Sequence, residues 1–385
     1  MLVLVSACVA QVPPTGFAAP EYDLDIDAPY ETKYHALYPK MCPAVQQAIP
    51  KLVDRLTQAV KLKIISNAIY FLLTHTFGAI WPYMVSDDTK HFIQNIADTC
   101  KVKPGDMTIL SYIYDFASRI GKNKSDPTDE DSIVRRFFRM CTSVIFQEED
   151  SQTFVLGSNL DYPFKDAMKD LLYQGNHYKG TELVAQTLEV FGVKGCLRII
   201  SHKGKFAASL NQRYYDTDSS GLVRGLYEKW PLGFDVLMDA GLNSNSYDEA
   251  KQKLAKNLVL SPVYYIIVGR SEATGKTDGC VLERNNMKKT HGEDCLSAAD
   301  DKWFLAQTNY DRDHIDPPQD YRRIPMENKM KKNGKASMES QVLDQFLQEV
   351  PNYREGETIS TTMITFKIDG KGEMGESTIK STVWD

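Results

Sequence analysis

Cys141-Thr142-Ser143-Val144-Ile145-Phe146 and, a few residues on, Thr153-Phe154-Val155-Leu156-Gly157-Ser158-Asn159-Leu160-Asp161-Tyr162-Pro163-Phe164 decide how this chain is read. Both runs are rich in β-branched and aromatic residues, and the residues between them, Glu148 to Ser151, are polar and turn-forming. That pattern predicts strands over 142–146 and 153–158 joined as a hairpin. A tight hairpin returns the chain beside its start, which brings Asp161 near Cys141. A lone cysteine before a strand is by itself more often buried or disulfide-bonded than reactive. Its weight here comes from its surroundings.

Upstream, residues 121–132 are polar, turn-rich and contain Pro127, so they read as a linker. Before it, apolar residues recur at helical spacing in 44–60, 88–98 and 107–118. The charge-free run 64–86 is long enough to be weighed as a membrane span, but Ser66, Asn67, Thr74, His75, Thr76, Gly78 and Pro82 interrupt it. A buried or interfacial helix fits better, since polar groups that dense are costly in hydrocarbon. Residues 1–10 carry no charge and end in Cys8-Val9-Ala10, as a short secretory signal would.

Downstream, strands are expected at 197–201, 206–212, 263–268, 279–284, 302–308 and 359–367, with helices at 221–240, 246–256 and 339–349. Sheet with interspersed helices, preceded by a helical segment, points to a layered α/β or α+β body built around sheet. The formal charge is −6, all of it on 141–385, and the densest basic cluster is Lys331-Lys332 with Lys329 and Lys335, read as a solvated loop. Nothing in that balance asks for nucleic acid.

The six cysteines left after a signal is removed, Cys42, Cys100, Cys141, Cys196, Cys280 and Cys295, contain no C-x-x-C pair, and the histidines show no metal-ligand spacing. Neither a metal nor a cofactor is expected. The cysteine spacings leave the disulfide pairing open. The single glycosylation sequon, Asn123-Lys124-Ser125, adds weak support for a secretory route. Gly269 and Gly275 stand too far apart for a phosphate-binding loop, and no Gly-x-Ser-x-Gly elbow occurs.

Four motifs, in order, carry a resemblance: Cys141-Thr142-Ser143, Asn159-Leu160-Asp161-Tyr162-Pro163-Phe164, Thr308-Asn309-Tyr310-Asp311 and Arg322-Arg323. With Tyr22-Asp23-Leu24-Asp25 and Ala28-Pro29-Tyr30 near the start, the chain resembles the acid ceramidase and N-acylethanolamine-hydrolysing acid amidase family from about Glu21 onward. The resemblance implies an N-terminal-nucleophile cysteine hydrolase with an αββα four-layer sandwich, made as a precursor and cut between Met140 and Cys141. The pieces would be a signal (1–10), a helical chain (11–140, with the linker 121–140) and a catalytic chain (141–385), the two chains staying associated. It implies Cys141 as nucleophile, Asp161 holding the new α-amine, Asn309 as oxyanion donor and Arg322 as a supporting contact. Ser158, Gln212 and Tyr162 fall at substrate-binding positions.

The chemistry suits those residues. A thiol attacks the preceding carbonyl, the thioester is hydrolysed, and the freed amine, with an ordinary pKa of about 7.7–8.0, serves as base without a histidine. The expected activity is hydrolysis of lipid amides, N-acylethanolamines or ceramides, at acid pH in a lysosomal or secreted enzyme, with the apolar run 64–86 meeting the membrane or the acyl chain. Three departures weigh against a simple transfer, and two of them, at Ser158 and Gln212, motivate an alternative, a lipid-binding homologue with weak or no hydrolase activity. Ser158 stands where the family has Arg, Gln212 where it has Glu, and the stretch before Cys141, with Arg135-Arg136, is longer and open to another protease.

Overall fold

The computed structural model describes residues 15–59, 82–120, 141–150, 152–162, 164–213, 220–285, 292–297, 302–313, 316 and 321–385. The signal-like residues 1–10, residues 64–81 of the apolar run, and the whole of 121–140 with its sequon and Arg135-Arg136 lie outside the described residues.

Two sheets form the body, with strands numbered in chain order. The first runs β1 (Gly16–Ala18), β14 (Met374–Trp384), β13 (Thr358–Ile368), β4 (Thr153–Asp161), β3 (Cys141–Gln147) and β12 (Phe304–Gln307). The second runs β11 (Gly292–Cys295), β10 (Thr277–Arg284), β9 (Val263–Arg270), β8 (Phe206–Gln212), β7 (Arg198–Ser201), β6 (Glu182–Val190), β5 (Leu172–Lys179) and β2 (Glu21–Asp25). Every pairing is antiparallel except β2 on β5.

Strand alternation explains why four layers form. Successive side chains of a strand point to opposite faces. On β3, Val144 and Phe146 join Val155, Met326, Met330, Leu343 and Leu347 in one apolar cluster, so helices Arg323–Asn333 and Ser340–Leu347 cover that face. Cys141, Ser143 and Ile145 point the other way, toward the second sheet. There Ser143 Oγ donates to Asn211 Oδ1 at 2.8 Å and Ser209 Oγ donates to Ser143 at 3.1 Å. Helices Gly233–Asn243 and Tyr247–Lys256 close the far side. Contact is tight enough that a Cβ on Gly241 would come within 2.1 Å of Ile199. The αββα sandwich expected from the resemblance is what the chain forms.

The region before Cys141 is not helical only. Helices Tyr38–Ala59, Asp87–Cys100 and Pro104–Ile120 are present, the first two tied by the Cys42–Cys100 disulfide. The same region also gives β1 and β2, an edge strand to each sheet: Gly16 pairs with Trp384, and Glu21 with Gln174.

Other expectations need correction. The helix expected over 221–240 is two, Ser220–Tyr227 and Gly233–Asn243, because Pro231 lacks an N–H and pushes Trp230 out of helical backbone. The strand expected at 302–308 is shorter, Phe304–Gln307. The lysine cluster is solvated, but Lys329, Lys331 and Lys332 lie on helix Arg323–Asn333 rather than in a loop. The β5–β6 hairpin went unpredicted because one buried face holds His177, Thr187 and Glu189, and Gln174 is buried on the other, which hides the usual alternation. Glu189 is fully satisfied there, by Tyr173 at 2.6 Å, Thr187 at 2.6 Å and His177 at 2.8 Å.

Candidate active site

Cys141 opens β3 with its side chain in the gap between the sheets, 0% exposed, and its register partner on β4 is Leu160. Its Sγ lies 3.9 Å from the Tyr114 hydroxyl. Pairing of β12 with β3 ends at Gln307↔Ser143, so the turn that follows carries Asn309 level with Cys141. There the Cys141 backbone N–H donates to Asn309 Oδ1 at 3.0 Å, while Asn309 Nδ2 donates to the Gln212 carbonyl at 2.8 Å.

Arg322 sits just before helix Arg323–Asn333 and gathers this end of the sheet. Its Nη1 donates to Asp161 Oδ2 at 2.6 Å and Thr142 Oγ1 at 3.1 Å, and its Nη2 to Asn309 Oδ1 at 2.8 Å. Asp161 Oδ1 accepts from Thr358 Oγ1 at 2.7 Å. Cys141, Asp161, Asn309 and Arg322 are therefore brought together, as the sequence motifs suggested. The arrangement within the group differs from the expected one. The nitrogen that cleavage would free is met by Asn309, and the Asp161 carboxylate turns to Arg322 and Thr358 instead.

A second layer fixes the Asn309 turn. Arg213 forks onto Asp311 at 2.6 and 2.8 Å, and Tyr264 donates to the same carboxylate at 2.6 Å. Bidentate pairs of this kind add geometric precision to the loop they hold.

The three substrate-binding candidates are also here. Ser158 faces the second sheet and accepts a hydrogen bond from Arg198 Nε. Gln212 ends β8, donating to the Tyr114 carbonyl at 2.7 Å, and its Oε1 is buried with no partner. Tyr162 lines a narrow apolar cavity of about 30 Å³ together with Tyr114, Leu160, Leu197, Phe234 and Ile359. Tyr114 and Leu160 are the residues flanking Cys141, so the cavity abuts the thiol.

Three residues were missed. Arg198 is a charge inside the apolar run Leu197-Arg198-Ile199-Ile200, and that misfit was a usable signal. Tyr114 and Thr358 carry no such signal.

Burial pushes the Cys141 thiol up from its usual value; the Arg198 charge opposes this, Asp161 adds to it, and Arg322 and the Tyr114 hydroxyl oppose it. Burial also raises Asp161, to about 6, against the pull of Arg322 and Arg354. Asp278, Cys280 and Cys295 have ligand atoms within 4.8 Å of one another, but the two cysteines are bonded as a disulfide and supply no thiolate.

No family model matches the chain. Among curated proteins it is 27% identical over 235 residues to N-acylethanolamine-hydrolyzing acid amidase of Oryctolagus cuniculus, covering 61% of this chain and 63% of the relative. It is 23% identical over 362 residues to the probable acid ceramidase of Caenorhabditis elegans, covering 89% and 82%. A solved structure, the Caenorhabditis elegans N-acylethanolamine-hydrolyzing acid amidase ortholog, superposes with a TM-score of 0.51 at 26% identity, over 58% of this chain and 92% of that one. The chain is a homologue of these proteins. Its matches span from 48% to 82% of the length of such curated relatives. The likeness extends to the fold, the two-sheet sandwich of the N-terminal-nucleophile hydrolases.

Proposed function

We propose that the chain is a cysteine amidase that cuts itself before Cys141 and then hydrolyses the amide bond of N-acylated lipids, N-acylethanolamines or ceramides, at acid pH. The observation that carries this reading is a buried thiol set beside an apolar pocket lined by Tyr114 and Leu160, with its backbone nitrogen held by Asn309, which also joins the Arg322–Asp161 pair.

In the first step the Cys141 sulfur attacks the Met140 carbonyl carbon, the peptide nitrogen leaves as the α-amine, and water hydrolyses the thioester. In turnover that amine takes the thiol proton and the sulfur attacks the lipid acyl carbon. The amine product leaves with the proton, and water releases the fatty acid. This reading assigns the oxygen that becomes negative to donors from Asn309, whose Nδ2 now meets the Gln212 carbonyl, and from Arg322; one fixed donor there is worth roughly 3–4 kcal/mol. Asp161 acts through Arg322 rather than on the amine directly. β1 and β2 would keep the cut chains together, since each is hydrogen-bonded into a sheet of the larger piece.

Two disulfides, Cys42–Cys100 and Cys280–Cys295, favour an oxidising compartment, lysosomal or secreted. Among the described residues no helix is long and apolar enough to cross a membrane. A role for residues 64–86 at a membrane surface stays part of this proposal.

Ser158 and Gln212 motivate a second reading, a lipid-binding homologue with weak or no hydrolase activity. One experiment separates the two. The purified chain is incubated in acid buffer, its pieces are weighed by mass spectrometry, and fatty-acid release is measured from ceramide and N-palmitoylethanolamine. The amidase reading expects a new N-terminus at Cys141 and release, both abolished by Cys141→Ala. Cleavage and release that survive Cys141→Ala would refute it, and bound lipid with neither would establish the second reading.

A further inference from the structure

Arg198 belongs to β7 of the second sheet, yet its side chain crosses the gap to the first. Nε donates to Ser158 Oγ, Nη1 to the Leu197 carbonyl at 3.0 Å and Nη2 to the Asn159 carbonyl at 3.3 Å. The residue is 0% exposed, and all three acceptors are neutral.

A guanidinium keeps its charge at any pH the protein meets, and a buried charge without a counter-charge is costly. The other large buried cations have an answer to that cost. Arg322 has Asp161, and Arg213 has Asp311. Arg284 meets the carbonyls of Leu254 and Asn257 at the end of helix Tyr247–Lys256, where the helix dipole is negative. Among the described residues no carboxylate lies within ion-pair distance of Arg198, and no helix end meets it.

What faces it is Cys141: Leu160, its register partner, lies two residues beyond Ser158 on the same face of β4, and the thiol points into the same gap between the sheets that Arg198 crosses. Four groups act electrically on that thiol: Arg198, Asp161, Arg322 and the Tyr114 hydroxyl. Of these the Arg198 charge ranks first, and in return Cys141 is the foremost charge acting on Arg198. Gln212, at the end of the adjoining β8, is neutral and offers no competing anion.

We infer that Arg198 is the counter-charge of the Cys141 nucleophile, supplied from the opposite sheet and anchored by Ser158. When the thiol proton passes to the base, the electron pair remains on sulfur beside the guanidinium until it bonds to the acyl carbon. This rests on Cys141 being the nucleophile. It also gives Ser158 a purpose, as the hydroxyl that positions the cation rather than a gap in the site.

The test reads the thiol itself and needs neither cleavage nor substrate. Isotopically labelled cysteine is incorporated into the full chain, the Cys141 resonance is assigned by its loss in Cys141→Ala, and its titration is followed by NMR. Arg198→Gln, which keeps hydrogen-bond donors and removes the charge, is expected to raise the Cys141 titration midpoint by about one pH unit or more. Arg198→Lys, with a shorter cation, is expected to raise it by less. A midpoint unmoved in Arg198→Gln overturns the inference. If that variant does not fold, Arg198→Lys decides alone: an upward shift supports the pairing and no shift overturns it. The proposed function is judged separately, since loss of Cys141-dependent cleavage in the wild type would refute that reading whatever the titration shows.

Discussion

The Arg322 guanidinium and the Asp161 carboxylate meet at 2.6 Å with both side chains 0% exposed. Arg322 also holds Asn309 and Thr142, so this pair joins β4, β3, the turn after β12 and the start of the last helical pair. Removing one partner of a buried pair leaves a charge uncompensated, which typically costs about 3–5 kcal/mol. Arg322→Ala is therefore expected to lose about that much stability in urea denaturation at neutral pH. The loss should shrink at pH 4, where Asp161 can take a proton. An equal loss at both pH values would mean that the pair is held together by packing.

Asp161 also gives the fold a pH dependence of defined sign. Burial raises it from 3.8 to about 6, so the folded state favours the neutral form. A group raised in this way contributes stability that is complete below the unfolded value and is lost as pH rises through the folded one. The window is therefore from about pH 3.8 to about pH 6, with the protein more stable on the acid side, by on the order of 2–3 kcal/mol from this group. Denaturation midpoints across pH 3.5–7 should fall for the wild type and flatten over that window in Asp161→Asn. Parallel curves would place the pH dependence elsewhere.

The site was legible where its chemistry sits in short runs. Cys141 and Asp161 belong to one hairpin, and the register Cys141↔Leu160 follows from the strand patterns and the turn between them. A sheet-built body was legible in the same way, from strands whose apolar residues are evident, such as Val263–Arg270, while the four-layer sandwich came from the family resemblance. What the sequence hid is long-range or polar. Arg198 reaches Ser158 across 40 residues and two sheets, and no local pattern encodes that contact. The β5–β6 hairpin is a strand pair whose core face is polar, so hydrophobic periodicity passes over it. The direction in which Asp161 turns depends on Thr358, nearly two hundred residues away.

Asn309 is the next test. Its Oδ1 accepts from both the Cys141 nitrogen and Arg322, while its Nδ2 donates to Gln212. Asn309→Asp keeps the oxygen toward Cys141 and replaces the donor with a charge, whereas Asn309→Ala removes both. If the amide donates to the oxyanion, each variant should lower kcat by about 10²–10³-fold with a smaller change in KM. If instead its oxygen orients the Cys141 nitrogen, Asn309→Asp should retain most of the rate and Asn309→Ala should not.

The apolar cavity makes the last prediction, because it separates self-cleavage from turnover. Self-cleavage acts on the chain's own peptide bond and needs no acyl chain, whereas a fatty acyl group needs the space beside Cys141. Val193 is the most exposed of the cavity's buried aliphatic residues, at 9%, so an indole there blocks this narrow space from its rim with less repacking than one deeper in. Val193→Trp is expected to cost about 1–3 kcal/mol in stability through overpacking. It should leave the new N-terminus at Cys141 forming at the wild-type rate, while KM for a palmitoyl amide rises at least tenfold and that for a short acyl amide changes little. A variant that handles long and short chains alike would show that the lipid binds outside this cavity.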